Sequence, residues 1–163
     1  QLARQALHQA LPIAQAVEYA KQEGVRIIGP NCLGIISPGK ARMGGVGGAL
    51  EATNRAFKPG SIGVMSRSGG MTVEISNALS VAGLGISTAC SIGGDAIIGS
   101  SYAELMPLFE ADPETKGIAI YSEPGGRLRG SGIHCSNASR ATTDRRVHRV
   151  CAASSRALPR IDP

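Results

Sequence analysis

The chain has 163 residues, 42% of them hydrophobic and 18% charged, with a formal net charge of +5. That apolar content is enough for a packed core and excludes wholesale disorder. No apolar run reaches the ~18 residues that a membrane-spanning helix needs. With no Trp and only five aromatic residues, a stacking platform for single-stranded nucleic acid is not expected.

The charge is unevenly placed. Residues 1–126 carry nine Lys/Arg and ten Asp/Glu, a net of −1, whereas residues 127–163 carry eight Arg and two Asp, a net of +6. The whole basic excess therefore lies in the tail, and the rest reads as a separate, near-neutral object. No secretory signal opens the sequence, so a cytoplasmic location is expected, with four cysteines that need not pair in a reducing compartment.

In chain order, Ile13, Ala16, Val17 and Ala20 recur at helical spacing and Gly24 follows as a stop, which predicts a helix over 13–23. The apolar run Val25–Ile28 predicts a short buried strand, and Gly29-Pro30-Asn31-Cys32-Leu33-Gly34 a turn. Residues 39–60 are Gly-rich and read as a long connection with room for a short hairpin. From there the pattern is regular: strand 61–66, helix 70–82, strand 86–92, helix 101–110, strand 117–121. That alternation implies an α/β fold with a parallel sheet and right-handed crossovers.

Ligands of open parallel sheets meet the carboxyl ends of the strands. Three loops fall there: Ser66-Arg67-Ser68-Gly69-Gly70, Ile92-Gly93-Gly94-Asp95 and Ser122-Glu123-Pro124-Gly125-Gly126. The first joins a strand to a helix start, where unpaired N–H groups, a partial positive charge and Gly-allowed close approach suit a phosphate. Gly and Ser also serve in ordinary turns, and spacing alone leaves that reading open. Glu123 is placed to orient an imidazole or hydroxyl by accepting a hydrogen bond, or is a solvated loop carboxylate. Asp95 either caps the segment ahead of Ser101, the preferred reading, or accepts from a donor.

Together these residues carry a resemblance. Gly29-Pro30-Asn31-Cys32-Leu33-Gly34-Ile35-Ile36-Ser37-Pro38-Gly39 resembles a signature of succinyl-CoA synthetase α subunits. So does Gly63-Val64-Met65-Ser66-Arg67-Ser68-Gly69 followed by Thr72 and Glu74, and so do Ile92-Gly93-Gly94-Asp95 and Glu123-Pro124-Gly125-Gly126, in the same order. The resemblance spans residues 13–126 and extends to NDP-forming acyl-CoA ligases and the synthetase part of ATP-citrate lyase.

The resemblance implies a flavodoxin-like parallel sheet, the ligase domain, over 61–126, truncated after its third strand. A connection over 41–60 and the remnant of a Rossmann-like CoA-binding domain over 1–40 precede it. It implies a partner β subunit of ATP-grasp fold that holds ATP or GTP with magnesium, CoA as cosubstrate, and a small carboxylic acid activated through a phosphohistidine. Ser66, Ser68, Gly69 and Gly70 would bind the phosphate, and Glu123 would orient the phosphohistidine. Asn31, Cys32, Gly34 and Val73 would lie near the acid, with Cys32 not a nucleophile, and Gly93, Gly94 and Asp95 would form a secondary loop. No resident metal and no tightly bound cofactor are expected on this chain, and no membrane or nucleic acid as partner.

Three departures bear on this. Val73 stands where succinate-specific members have a Tyr, and Gly70-Met71-Thr72 resembles the citrate-using branch, so a citrate-type acid is an alternative. The Gly-rich CoA loop is not in the sequence. Neither is the Gly-His-Ala-Gly setting of the phosphorylated histidine, so the isolated chain is expected to be inactive. A non-enzymatic anion-binding or subunit-docking module is the alternative from another class.

Residues 127–163 match nothing in the family on this reading. One codon set for Arg129–Cys135, read one base on, yields Glu-Glu-Ala-Ala-Phe-Ile-Ala, so a slipped reading frame is expected, with an open sheet edge at the third strand. A zinc site on His134, Cys135, His148 and Cys151 and an Arg-rich nucleic-acid arm are the lesser readings.

Overall fold

A computed structural model describes residues 2–122 and 148–151, with side chains from Leu11 to Ser122. It opens with helix α1 (Leu2–Gln22), followed by strands β1 (Gly34–Ser37) and β2 (Ala41–Met43) and the short helix α2 (Leu50–Ala56). The regular part follows as β3 (Pro59–Ser66), α3 (Gly69–Val81), β4 (Ile86–Ser91), α4 (Tyr102–Ala111) and β5 (Gly117–Tyr121). A last strand, β6 (His148–Cys151), closes the set.

All six strands form one sheet in the order β2-β1-β4-β3-β5-β6. β4, β3, β5 and β6 run parallel, as expected for successive strands joined through helices. The β1–β2 hairpin adds antiparallel strands beside β4, with Ile35 opposite Cys90 and Ile36 opposite Ala89. The boundary drawn at residues 40/41 falls inside this hairpin.

Side chains of a strand alternate between faces, and the two cores follow that alternation. Val64, Ala89 and Ala119 pack on one face with Ile36, Val46, Phe57 and the apolar side of α3, including Val73, Ile75 and Leu79. Met65, Cys90 and Ile118 pack on the other with Tyr102, Leu105 and Phe109 of α4. α3 also buries small hydroxyl residues, Thr72, Ser76 and Ser80. Ser80 Oγ donates to Ala56 O at 2.9 Å and accepts from Lys58 N at 3.1 Å, which pins α3 to the turn between α2 and β3.

The structure corrects four expectations. Val25–Ile28 is not a strand: among the described residues no strand pairs with it, and Ser100 Oγ donates to Ile27 O instead, at 2.7 Å. The first helix is longer than 13–23, running through Pro12. The Gly-rich connection holds β2 and α2. The sheet is not truncated at its third parallel strand, because β6 pairs with β5 through Gly117–His148 to Ile120–Cys151, so β5 is not an open edge. The slipped frame concerns residues that, apart from β6, lie outside those described. His134 and Cys135 of the zinc array also lie outside them.

Candidate functional site: a corner of three loops

The three parallel strands β4, β3 and β5 end side by side, with Ser66 opposite both Ser91 and Tyr121. These ends, and the loops after β3 and β4, are cross-tied. Ile92 N donates to Ser66 O at 2.8 Å, and Arg67 N to Tyr121 O at 3.3 Å. Arg67 Nη2 reaches across to Gly94 O at 2.9 Å and Asp95 O at 2.6 Å. The turn ahead of β1 joins them from the other side: Asn31 Nδ2 donates to Asp95 Oδ1 at 3.0 Å, and Leu33 N to Ser91 Oγ at 3.3 Å.

Glycine is required where these loops touch. Gly93 has φ +107°, and a Cβ there would stand 2.9 Å from Asn31 O. Gly34 has φ +106°, and its Cβ would stand 2.1 Å from Met43 O, so only glycine opens β1 beside β2. Gly70, in contrast, is exposed and nothing lies within 4 Å of where its Cβ would be.

Ser66–Gly70 is the strand-to-helix turn expected. Ser66 is fully buried, and its hydroxyl is used within the loop: it donates to Ser68 O at 2.7 Å and accepts from Ser68 N at 3.1 Å. Ser66 therefore shapes the loop from inside rather than facing a ligand. Ser68 is the N-cap of α3, its Oγ accepting from Met71 N at 3.4 Å, while Thr72 Oγ1 donates to Ser68 O at 2.9 Å. The N–H groups of Gly69 and Gly70 are in the first turn and have no acceptor within the helix, at the positive end of a 13-residue helix.

Of the other expected residues, Asn31 and Asp95 meet at the corner. Cys32 is half-buried beside it, its Sγ 3.4 Å from Ile28 O. Val73 packs on the core beneath α3. Glu123 lies outside the described residues. Asp95 does not cap the next helix. Ser101 does, in a capping box in which Ser101 Oγ accepts from Glu104 N and the Glu104 carboxylate accepts from Ser101 N at 2.7 Å. The Ser101 hydroxyl also donates to that carboxylate at 2.7 Å, and this bond first, then the Ser101 N–H, holds the Glu104 carboxyl below its ordinary range, with smaller contributions from Lys21 and Arg26. Beneath the corner, burial and then the neighbouring Cys32 push the Cys90 thiol up to about 12. No group of three His, Cys, Asp or Glu that could hold a metal occurs among the described residues.

Sequence reasoning did not single out Arg67 or Leu33. Arg67 lies inside the Ser66–Gly70 motif, but its acceptors are 27 and 28 residues away. Leu33 leans over Gly69, whose Cβ would stand 2.5 Å from Leu33 Cγ.

The family described as succinyl-CoA ligase like flavodoxin domain matches residues 59–148, from β3 into β6. The chain belongs to this family. The match runs past Gly126, beyond the span of the resemblance carried by the motifs. Among relatives of the succinyl-CoA ligase family, the succinate–CoA ligase [ADP-forming] subunit alpha 2 of Archaeoglobus fulgidus is 48% identical over 107 residues, 66% of this chain and 35% of that one. The malate–CoA ligase subunit alpha of Methylorubrum extorquens is 44% identical over 108 residues, 66% of this chain and 34% of that one. ATP citrate lyase from Methanothrix soehngenii, solved with citrate and coenzyme A, superposes with a TM-score of 0.65 at 32% identity, over 69% of this chain and 19% of that one. The chain thus spans about a third of the length of these curated relatives. The ligase family and the parallel-dominated α/β fold expected from the motifs are both borne out.

Proposed function

We propose that this chain is part of the α subunit of an NDP-forming acid–CoA ligase, and that its three-loop corner receives a phosphoryl group. One observation carries the reading: the open start of α3 lies where the Asn31–Gly34, Ser66–Gly70 and Gly93–Asp95 loops are tied together. The Gly69 and Gly70 amides would hold phosphate oxygens, with Ser68 fixing the turn and buried Ser66 bracing it. Glu123 would accept a hydrogen bond from the phosphohistidine. That histidine comes from outside this sequence, since His8, His134 and His148 have no Gly-His-Ala-Gly setting.

The acid would sit by Asn31, Cys32 and Gly34. The relatives' names point to small carboxylic acids, and Gly70-Met71 with Val73 in place of a phenol favours the citrate-type branch. Residues 1–40 would close the CoA-binding domain and lend β1 to the ligase sheet.

CoA, the nucleotide and magnesium enter as the family's cosubstrates. Among the described residues no Lys/Arg cluster able to grip the phosphates of CoA occurs at the corner, where Arg67 is already bonded to carbonyls, and none of them is assigned to CoA. Nucleotide and magnesium would be held by an ATP-grasp β subunit in the cytoplasm. Alone, the chain is expected not to turn over.

The test is a titration of the 15N-labelled chain with inorganic phosphate. Saturable shifts confined to the amides of residues 68–71 and 93–95 are expected, and their absence overturns the reading. Co-purification with a ligase β subunit tests the assembly.

A further inference from the structure

Arg67 lies between the two serines of the phosphate loop, yet it pairs with no acid among the described residues. The ion pairs there are Lys21–Glu104 and Lys40–Glu114. The carboxylate of the facing loop, Asp95, accepts from Asn31 instead. Arg67 spends both hydrogens of Nη2 on successive backbone carbonyls, Gly94 O and Asp95 O, at 2.9 and 2.6 Å.

That arrangement has an electrostatic meaning. Two carbonyl oxygens at the mouth of a site place the negative ends of their dipoles where an anion must come. A guanidinium lying on both offsets them with a positive charge held at the mouth of the site. The same two bonds hold the loop after β4 against the loop after β3, and Asn31 extends the tie to the turn before β1.

We propose that Arg67 is the positioning residue of this corner: it fixes the Gly93–Asp95 loop as the second wall of the anion site and neutralises that wall's carbonyls. The inference rests on the phosphate reading for its purpose, though not for its geometry.

The experiment compares the wild-type chain with Arg67→Ala and Arg67→Lys by 15N relaxation without any anion, then by phosphate titration. Arg67→Ala is expected to raise the mobility of the Gly93, Gly94 and Asp95 amides before phosphate is added. It is also expected to weaken phosphate binding by about tenfold, the scale of one lost charged hydrogen bond. Arg67→Lys keeps the charge but loses the planar fork, so it should recover only part of both. Wild-type order at 93–95 in Arg67→Ala overturns the proposal. So does a lysine variant equal to wild type in both readouts, which remains decisive if the alanine variant does not fold. If wild type itself binds no phosphate, the phosphate reading fails, while the anion-free relaxation still decides whether Arg67 positions the loop.

Discussion

Leu33 and Gly69 are in steric register: a Cβ on Gly69 would come within 2.5 Å of Leu33 Cγ and 2.8 Å of Leu33 Cδ1. The turn before β1 thus rests directly on the first residue of α3. Leu33 is 36% exposed and can swing outward. Gly69→Ala should therefore cost only about 1 kcal/mol by urea unfolding, while shifting the amide resonances of residues 31–34. Adding Leu33→Ala should return those resonances and much of the stability. A double-mutant cycle without coupling would show that the two do not meet.

Gly85 leaves no such escape. Its φ is +61°, and a Cβ would stand 2.3 Å from Pro59 O and 2.7 Å from Gly60 Cα, all backbone. Gly85→Ala should cost about 2–4 kcal/mol, combining a disfavoured conformation with a clash that cannot rotate away. A loss within experimental error would contradict this packing.

The Cys90 thiol sets an alkaline limit. Its pKa rises from 9.0 to about 12, by burial first and Cys32 second. The folded state therefore keeps a proton that the unfolded chain releases. The stabilisation is complete below pH 9 and is lost as pH climbs towards 12. The slope approaches about 1.4 kcal/mol per pH unit in that window. Unfolding midpoints between pH 8 and about 10.5 should fall more steeply for wild type than for Cys90→Ala, although the variant starts lower because of its cavity. Parallel slopes would rule out this linkage.

Ser101→Ala should cost about 1 kcal/mol by removing the N-cap of α4. It should also change the acid limb. The Glu104 carboxyl is held below 4.5 mainly by Ser101. Its contribution is therefore present above that pH and fades as pH falls through the lowered value. The variant should lose less stability than wild type on acidification, and an NMR titration should show the Glu104 midpoint moving up.

The regular elements were legible because their signals are local. Strand 117–121 has the expected bounds, and helices 69–81 and 102–111 differ from expectation by one residue at each end. Apolar spacing and flanking glycines carried those positions. α2 was hidden because Leu50–Ala56 follows a Gly-rich stretch and has few apolar residues to set a period. Val25–Ile28 departs from expectation because its apolar residues are neither fully buried, Val25 being 58% exposed, nor paired with a strand, Ile27 O accepting from Ser100 instead. The cap of α4 is legible too, because Ser101 and Glu104 stand at capping-box spacing. Arg67 is a different case: its role depends on a contact between two loops, and no window of neighbouring residues contains it.

Asn31 and Asp95, bonded at 3.0 Å, are 64 residues apart. β1 must be threaded beside β4 before they can meet, so the corner is among the costliest places in the chain to assemble. It comes into being with the fold and has no precursor in the open chain. An anion bound there, as proposed, would select the completed sheet over looser forms. At a hundred times its dissociation constant it would add about 2.7 kcal/mol to stability. Occupancy of the corner would thus govern how long the chain persists as well as what it does.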